Sequence, residues 1–308
     1  MALGTAHVTK TTADKFIPEI WSDEIVAAYK KSLVAANLFS KMSFKGKKGD
    51  TLHIPKPTRG SASAKSASTQ VNLIAATENE VQVLINKHYE YSRLIEDIVE
   101  VQALSSLRRF YTDDAGYALA KQVDTDLIEL GRGAQGGTAG DADYTAAKIN
   151  NASTGALTTY VDGTSTAVAI NDAGIRNMIQ LLDDADVPMT DRFLIVPPSA
   201  RNTLMGLSRF TEQAFTGEVG GANTIRNGLI GDIYGVKVYV STNADTATAG
   251  GRICLLAHKD AFVLAEQMGV RSQTQYKQEW LGTLFTSDML YGVAELRDNA
   301  AVALVVPA

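Results

Sequence analysis

The chain has 308 residues, of which 45% are apolar and 20% charged, and its formal net charge is -5. Such a length holds two domains or one large interrupted one, and the composition excludes a disordered chain. The negative balance argues against general nucleic-acid binding through a basic surface, and a lone cysteine, Cys254, excludes an internal disulfide framework.

Residues 1–15 are polar, lack periodicity and read as an extended arm. They contain no apolar core of a signal peptide, and no apolar run in the chain is long enough to span a membrane. A cytosol-like compartment is the expectation. Residues 16–39 contain one helix, with Ile20, Trp21, Ile25, Ala28, Leu33 and Ala36 on one face and Ser22 or Asp23 as its cap.

A strand over 42–54 enters a hairpin through a basic turn carrying Lys45, Lys47 and Lys48. Pro55 and Pro57 end its regular pairing. Residues 59–70, RGSASAKSASTQ, are too small and polar to bury a core. The chain returns as a strand over 81–91. Residues 44–92 thus form one long two-stranded excursion, which is marginal alone and needs a neighbour to lie on.

The longest periodic segment follows. Leu94, Ile98, Val101, Leu104, Leu107, Tyr111, Ala115, Leu119, Val123, Leu127 and Leu130 recur at steps of three or four, which is one face of an α-helix over 96–131. Arg108, Asp113, Lys121, Asp124 and Glu129 are assigned to the solvated face. The Ser105–Ser106 pair can split off a short lead-in helix, and from Ser106 onward the main helix spans about 39 Å. Gly131 and Gly133 are expected to stop it in the left-handed conformation.

Residues 133–166 show little pattern beyond short elements near 144–149 and 157–160. A helix over 171–186 puts Ile175, Met178, Ile179 and Leu182 on one face, capped by Asn171 or Asp172. The apolar run Phe193 to Val196 reads as a central strand stopped by Pro197 and Pro198. Ser199 is expected to cap a third helix over 200–207. Residues 211–227 are glycine-rich. Strands are expected at 236–240 and 253–257, and 259–266 is either a short helix or a strand. Two further strands, over 271–277 and 283–297, lead to a last one at 301–306. Altogether 167–266 reads as a compact α/β unit of mixed order.

A search for chemistry finds no catalytic residue, no cofactor-binding residue and no metal ligand set. His7, His53, His88 and His258 have no partner at ligand spacing. Cys254 reads as a small core hydrophobe. The glycines of 131–137 follow a helix instead of a strand and lack the Lys-Ser/Thr pair of a phosphate loop. Asp183, Asp184 and Asp186 crowd a helix C-terminus, where a solvated end or a bound cation would relieve them. Arg108, Arg109 and the lysines of 45–48 lack the interleaved aromatics of nucleic-acid readout.

Taken in order, these pieces resemble the major capsid proteins of tailed bacteriophages, which share the Hong Kong 97 fold. The segments that carry the resemblance are DDAGYALAKQVDTDLIELGRGA (113–134), DDADVPMTDRFLIVPPSARNTLM (183–205), IGDIYGVKVYVSTN (230–243) and LYGVAELRDNAAVALVV (290–306). The resemblance implies an α+β fold with an N-terminal arm (1–43), an extended hairpin loop (44–92), a spine helix with peripheral domain (93–166), an axial domain (167–266) and return strands of the peripheral domain (267–308). It implies a virion shell protein, not an enzyme. The chain would self-assemble through pentamers and hexamers into an icosahedral capsid around double-stranded DNA, in the host cytoplasm. A separate scaffolding protein, a portal and a decoration protein are the partners implied besides other copies of the chain. Some relatives crosslink a loop lysine to a peripheral asparagine; Lys56, Lys65 and Asn299 stand in those regions, and crosslinking is not expected from residue types so common. Two alternatives stay open on the residues alone. One is an encapsulin-like compartment packing enzymes. The other is a soluble α/β enzyme or ligand-binding protein with a pocket in 167–266 and 44–92 as its lid.

Overall fold

A computed structural model describes residues 33–46, 48–57, 60–71, 73, 78–97, 106–137, 144–161, 165–207, 231–247 and 250–308. The arm (1–32), the lead-in to the long helix (98–105) and the glycine-rich 208–230 lie outside these residues.

The core forms around a seven-stranded sheet. Its strands are β5 (Lys148–Asn150), β6 (Leu157–Thr159), β7 (Arg192–Val196), β8 (Asp232–Ile233), β9 (Val236–Val240), β10 (Arg252–His258) and β13 (Ala301–Val306), in the order β6-β5-β13-β10-β7-β9-β8. The three central strands are continuous apolar runs because both faces are covered. Phe193, Ile195, Ile253, Leu255, Ala303 and Val305 face one cluster; Leu194, Val196, Cys254, Leu256, Val302 and Leu304 face the other. That alternation is the period of two of a strand.

One face is closed by two helices, α3 (Asp172–Asp184) and α4 (Pro198–Met205), through Ile175, Met178, Leu182 and Leu204. Asn171 caps α3 as expected, its side chain accepting from the Gly174 amide at 2.7 Å. Ser199 does not cap α4: the helix begins one residue earlier at Pro198, and the Ser199 hydroxyl donates to the Pro307 carbonyl at 2.9 Å. A proline in the first turn lacks the amide that a cap would serve.

The other face is closed by the long helix α2 (Ser106–Glu129), with Leu119, Val123, Leu127 and Ile128 buried. The main helix starts at Ser106, where the Ser105–Ser106 split places it, and Glu96 is not helical, because 94–96 belong to strand β4 (Lys87–Glu96). Leu94 and Ile95 fit a helical stripe, yet their backbone pairs with Leu284 and Thr283. The helix stops by tightening into a 3-10 turn over Leu130–Arg132. Gly133 is right-handed there, and the positive φ falls later, at Gln135 and Gly136.

A second sheet has four strands, in the order β1-β11-β12-β4, where β1 is Ser40–Ser43, β11 Phe262–Lys277 and β12 Gly282–Glu295. A four-residue helix, α1 (Ala35–Leu38), leads into β1. Strands β11 and β12 form one hairpin, which at about 3.4 Å per residue reaches some 45 Å. Strand β11 crosses 266/267 as one strand, with shifts in its register against β12 between Glu266 and Arg271; it is buried at Phe262–Ala265 and exposed from Val270 to Tyr276. Residues 290–306, expected to return together, part company: β12 stays in this sheet and β13 enters the other. The reason is β13 itself, whose six residues are all buried and need cover on both faces.

The third sheet is a two-stranded ribbon, β2 (Thr51–Pro57) with β3 (Glu78–Leu84). Only its root is buried: Val83 packs with Val263, Ala265, Met42, Leu52 and Ile54.

Candidate intersubunit surfaces

The ribbon's edges follow from its register. The Ile85 amide donates to the Asp50 carbonyl at 2.8 Å, and 51 pairs with 84 in unbroken antiparallel register. Hydrogen-bonded pairs therefore recur at 52/83, 54/81 and 56/79, and the polar groups of 51, 53, 55 and 57 point away from β3. Pro55 and Pro57 both fall on that outward set, so β2 presents an edge short of two donors. Both prolines lie inside the strand, where termination was expected, because an outward position has no ladder bond to lose. The outer edge of β3 has no such block and carries Glu78, Glu80 and Gln82. Beyond the ribbon, residues 60–71 are exposed throughout and have no regular structure except a turn at Ser66–Thr69.

The ribbon emerges over β12 at Gly292. A Cβ there would lie 2.2 Å from the Leu84 carbonyl oxygen, so the crossing needs a glycine. Beside it runs an open groove of about 1070 Å3 lined by Met42, Ile54, Lys56, Val187, Arg297 and Asn299. Lys56 and Asn299 thus share one groove, while Lys65 is on the exposed loop. A second opening of about 570 Å3 is lined by Gln82, Lys87, Asp126, Glu129, Arg132 and Glu295. Burial, with Asp298 nearby and Lys56 opposing, raises the Glu295 carboxyl to about 7, and its Oε1 has no hydrogen-bond partner.

Helix α2 is fixed to the four-stranded sheet, to the start of α1 and to the segment between β9 and β10 by polar contacts that its sequence did not signal. Asp124, assigned to the solvated face, is fully buried and accepts from the Val34 and Ala35 amides and the Asn243 side chain at 2.9, 2.7 and 3.1 Å. Asp126 accepts from Tyr291 and Gln122 at 2.5 and 3.0 Å and pairs with Lys87 at 3.0 Å. Tyr91 donates to Asp114 at 3.1 Å, and Arg93 lies over the Tyr111 ring at 4.4 Å. Past the helix end, Arg132 and Tyr144 converge on Asp245 at 2.9 Å each.

The other sequence candidates fall apart in space. His53 pairs with Glu80, His88 with Asp288, and buried His258 accepts from the Asp260 amide; His7 and Lys47 lie outside the described residues. Among the described residues no three His, Cys, Asp or Glu side chains come together as a metal site. Burial pushes the Cys254 thiol far up, as a core residue's would be. The acidic run at the end of α3 is relieved from within, since the buried Arg192 guanidinium pairs with Asp183 at 2.7 Å. Lys45 pairs with Glu266, Lys48 is exposed, and Arg108 and Arg109 lie in the first turn of α2. No helix among the described residues is long and apolar enough to cross a membrane.

Among the described residues no His, Cys, Asp and Glu cluster converges on a metal site, but there are projecting parts: a ribbon rooted on one sheet and a long hairpin extending another. Comparison with known proteins resolves what such a body is. The family model described as phage capsid protein matches residues 95–305. The chain belongs to the phage capsid protein family. No curated protein matches it. Among solved structures, a chain of Mycobacterium phage Che8 is 22% identical at a TM-score of 0.73, covering 94% of this chain and 97% of that one. The capsid of cyanophage P-SCSP1u gives 18% and 0.75, with 99% and 96% covered. The head of Helicobacter pylori bacteriophage KHP40 gives 14% and 0.72, with 98% and 99% covered. Its fold is that of these capsid structures, an α+β fold of the Hong Kong 97 type. The resemblance read from 113–134 and 183–205 therefore holds; both segments lie within the matched residues.

Proposed function

We propose that this capsid protein assembles through pentamers and hexamers of itself into an icosahedral shell that encloses double-stranded phage DNA. The observation that carries the reading is the ribbon: seven paired residues per strand, a core only at the root, and an exposed 60–71 loop beyond. A two-stranded ribbon gains too little within its own subunit to hold a long loop aloft. A neighbouring copy that it lies across supplies the rest. In this reading 1–43 is the arm, 44–92 the extended loop, the long helix with the four-stranded sheet the peripheral part, and the seven-stranded sheet, β13 included, the axial part. A scaffolding protein, a portal and a decoration protein are the further partners, and assembly takes place in the host cytoplasm. The net charge of -5 suits a lumen that holds DNA without gripping phosphate. No residue is assigned a catalytic role.

The test is electron microscopy of the purified chain beside a variant lacking 60–70. Wild-type shells, and a variant that folds with unchanged melting temperature but forms none, support the reading. A wild type that stays monomeric under all conditions, or a shortened chain that still makes intact shells, defeats it.

A further inference from the structure

The ribbon meets β12 between two openings. Strand β3 ends at Leu84 and β4 begins at Lys87, so Ile85 and Asn86 join the ribbon to the four-stranded sheet. The larger groove is lined from the ribbon by Ile54, Lys56 and Val81. The smaller opening, of about 570 Å3, is lined by Gln82, Leu84 and Asn86, with the end of α2 and Glu295 of β12 as its other walls. Little holds the ribbon down between them. Its root buries Val83 against Val263 and Ala265, and Met42, Leu52, Ile54, Ala294 and Leu296 are only partly covered. A core this small opens at a lower free-energy cost than the seven-stranded sheet.

Glu295 stands between Ala294 and Leu296 of that small core. Its Oε1 is buried and has no hydrogen-bond partner among the described residues. An unpaired carboxyl oxygen out of reach of water costs free energy, and costs far more when it is charged. The surrounding charges do not offset that cost. Asp298 repels a negative charge there, and Lys56 of β2 attracts it. Asp126 is taken up by Lys87 and Tyr291, and Arg132 by Asp245 and Glu129. Burial raises the Glu129 carboxyl as well, against the pull of Arg132. Both cations lining the smaller opening are thus engaged elsewhere, and burial holds the Glu295 carboxyl at about 7.

We propose that Glu295 is a pH-sensitive latch on the ribbon: neutral, it stays buried and the ribbon sits on β12; ionised, it takes up water and the ribbon lifts about Ile85 and Asn86. The Leu84 carbonyl already occupies the place a Cβ of residue 292 would need, so the movement left to the ribbon is outward. The sign follows from the folded value, which lies above the ordinary 4.5. The seated ribbon is fully held below about pH 4.5, and that hold is lost as pH rises through about 7. The latch is a property of the single subunit and stands apart from the shell reading, in which it sets when the ribbon is free to reach a neighbour.

The experiment is hydrogen exchange of the purified full chain at about pH 5.5 and about pH 8.5, read at 51–57 and 78–84 against β10 after correction for intrinsic rates. The wild-type ribbon is expected to lose about tenfold in protection at the higher pH, with β10 unchanged. Glu295→Gln should keep the ribbon protected at both. Lys56→Met removes the attraction for the charged form and should move the step to higher pH, whereas a merely structural role for Lys56 would change protection at every pH alike. His53, which pairs with Glu80 on the ribbon at 3.0 Å, is the control, because histidine changes charge in the same range. His53→Gln should leave the step in place. A wild-type ribbon equally protected at both pH values overturns the latch. So does a step that survives Glu295→Gln, and its loss in His53→Gln would assign it to the His53–Glu80 pair. If Glu295→Gln fails to fold, Lys56→Met decides, and a step that it does not move overturns the assignment to Glu295.

Discussion

The carboxylate of Asp124, in the middle of the long helix, accepts the backbone amide of Ala35 at 2.7 Å across 89 positions of sequence. It also takes the Val34 amide at 2.9 Å, and so anchors the start of α1 to the long helix. Replacing it with alanine strands two buried amides and the Asn243 side chain. Asp124→Ala is expected to lower stability by about 2–4 kcal/mol in urea unfolding. A loss within about 0.5 kcal/mol would show that water replaces the carboxylate there.

Arg192 stands in a comparable position at the end of α3. Its side chain is 2% exposed, pairs with Asp183 at 2.7 Å and donates to the Val187 and Pro188 carbonyls at 2.6 and 2.8 Å. Arg192→Ala should cost about 1–3 kcal/mol, since it removes a buried side chain and its charge-assisted hydrogen bonds while the exposed Asp183 and Pro188 turn to water. Magnesium should not stabilise the wild type, because the cation that the three aspartates call for is already the guanidinium. Thermal melts with and without the metal check this, and a metal-dependent rise would restore the ion-site reading of Asp183, Asp184 and Asp186.

Glu295 predicts a pH dependence. Its folded value, about 7, lies above the ordinary 4.5, with burial as the main cause. Between those values the folded chain holds a proton that the unfolded chain has lost, so this contribution is full below about pH 4.5 and is lost as pH rises to about 7. Glu295→Gln keeps the shape and removes the charge. It should be nearly neutral at pH 5 and stabilising by on the order of 1 kcal/mol at pH 8, after allowance for partial solvent screening. Equal effects at both pH values would show that Glu295 stays ionised.

Gly292 predicts an effect on the ribbon. An added methyl would meet the Leu84 and Ile85 backbone, which cannot rotate away as a side chain can. Gly292→Ala should cost about 1–3 kcal/mol and tilt the ribbon off β12. Faster hydrogen exchange in 78–84, relative to β10, would report the tilt. Unchanged protection would place the strain elsewhere.

Several expectations and outcomes divide along one line. The periodic parts were legible in the order of residues. The stripe through Leu119, Val123 and Leu127, the central strand at 193–196, the closing strand at 301–306, and a cap at Asn171 or Asp172 are all written in local spacing and residue type. So are the poverty of 60–70 in apolar groups and the order of elements that resembles phage capsid proteins. Only the tertiary structure decided where long-range pairing overrides local preference. Leu94 and Ile95 fit a helix, but β12 offers their backbone a ladder. Asp124 looks solvated in a helical projection, but its buried partners come from Val34, Ala35 and Asn243. Strand β13 separates from β12 because a strand apolar on both faces must lie between two layers. Leu281 is unremarkable as a letter; its left-handed backbone and exposed side chain appear only when β11, β12 and β4 fix the turn. Periodicity reports what a segment can bury, whereas the register of β4 on β12 and the partners of Asp124 lie far off in the chain, which no local window contains.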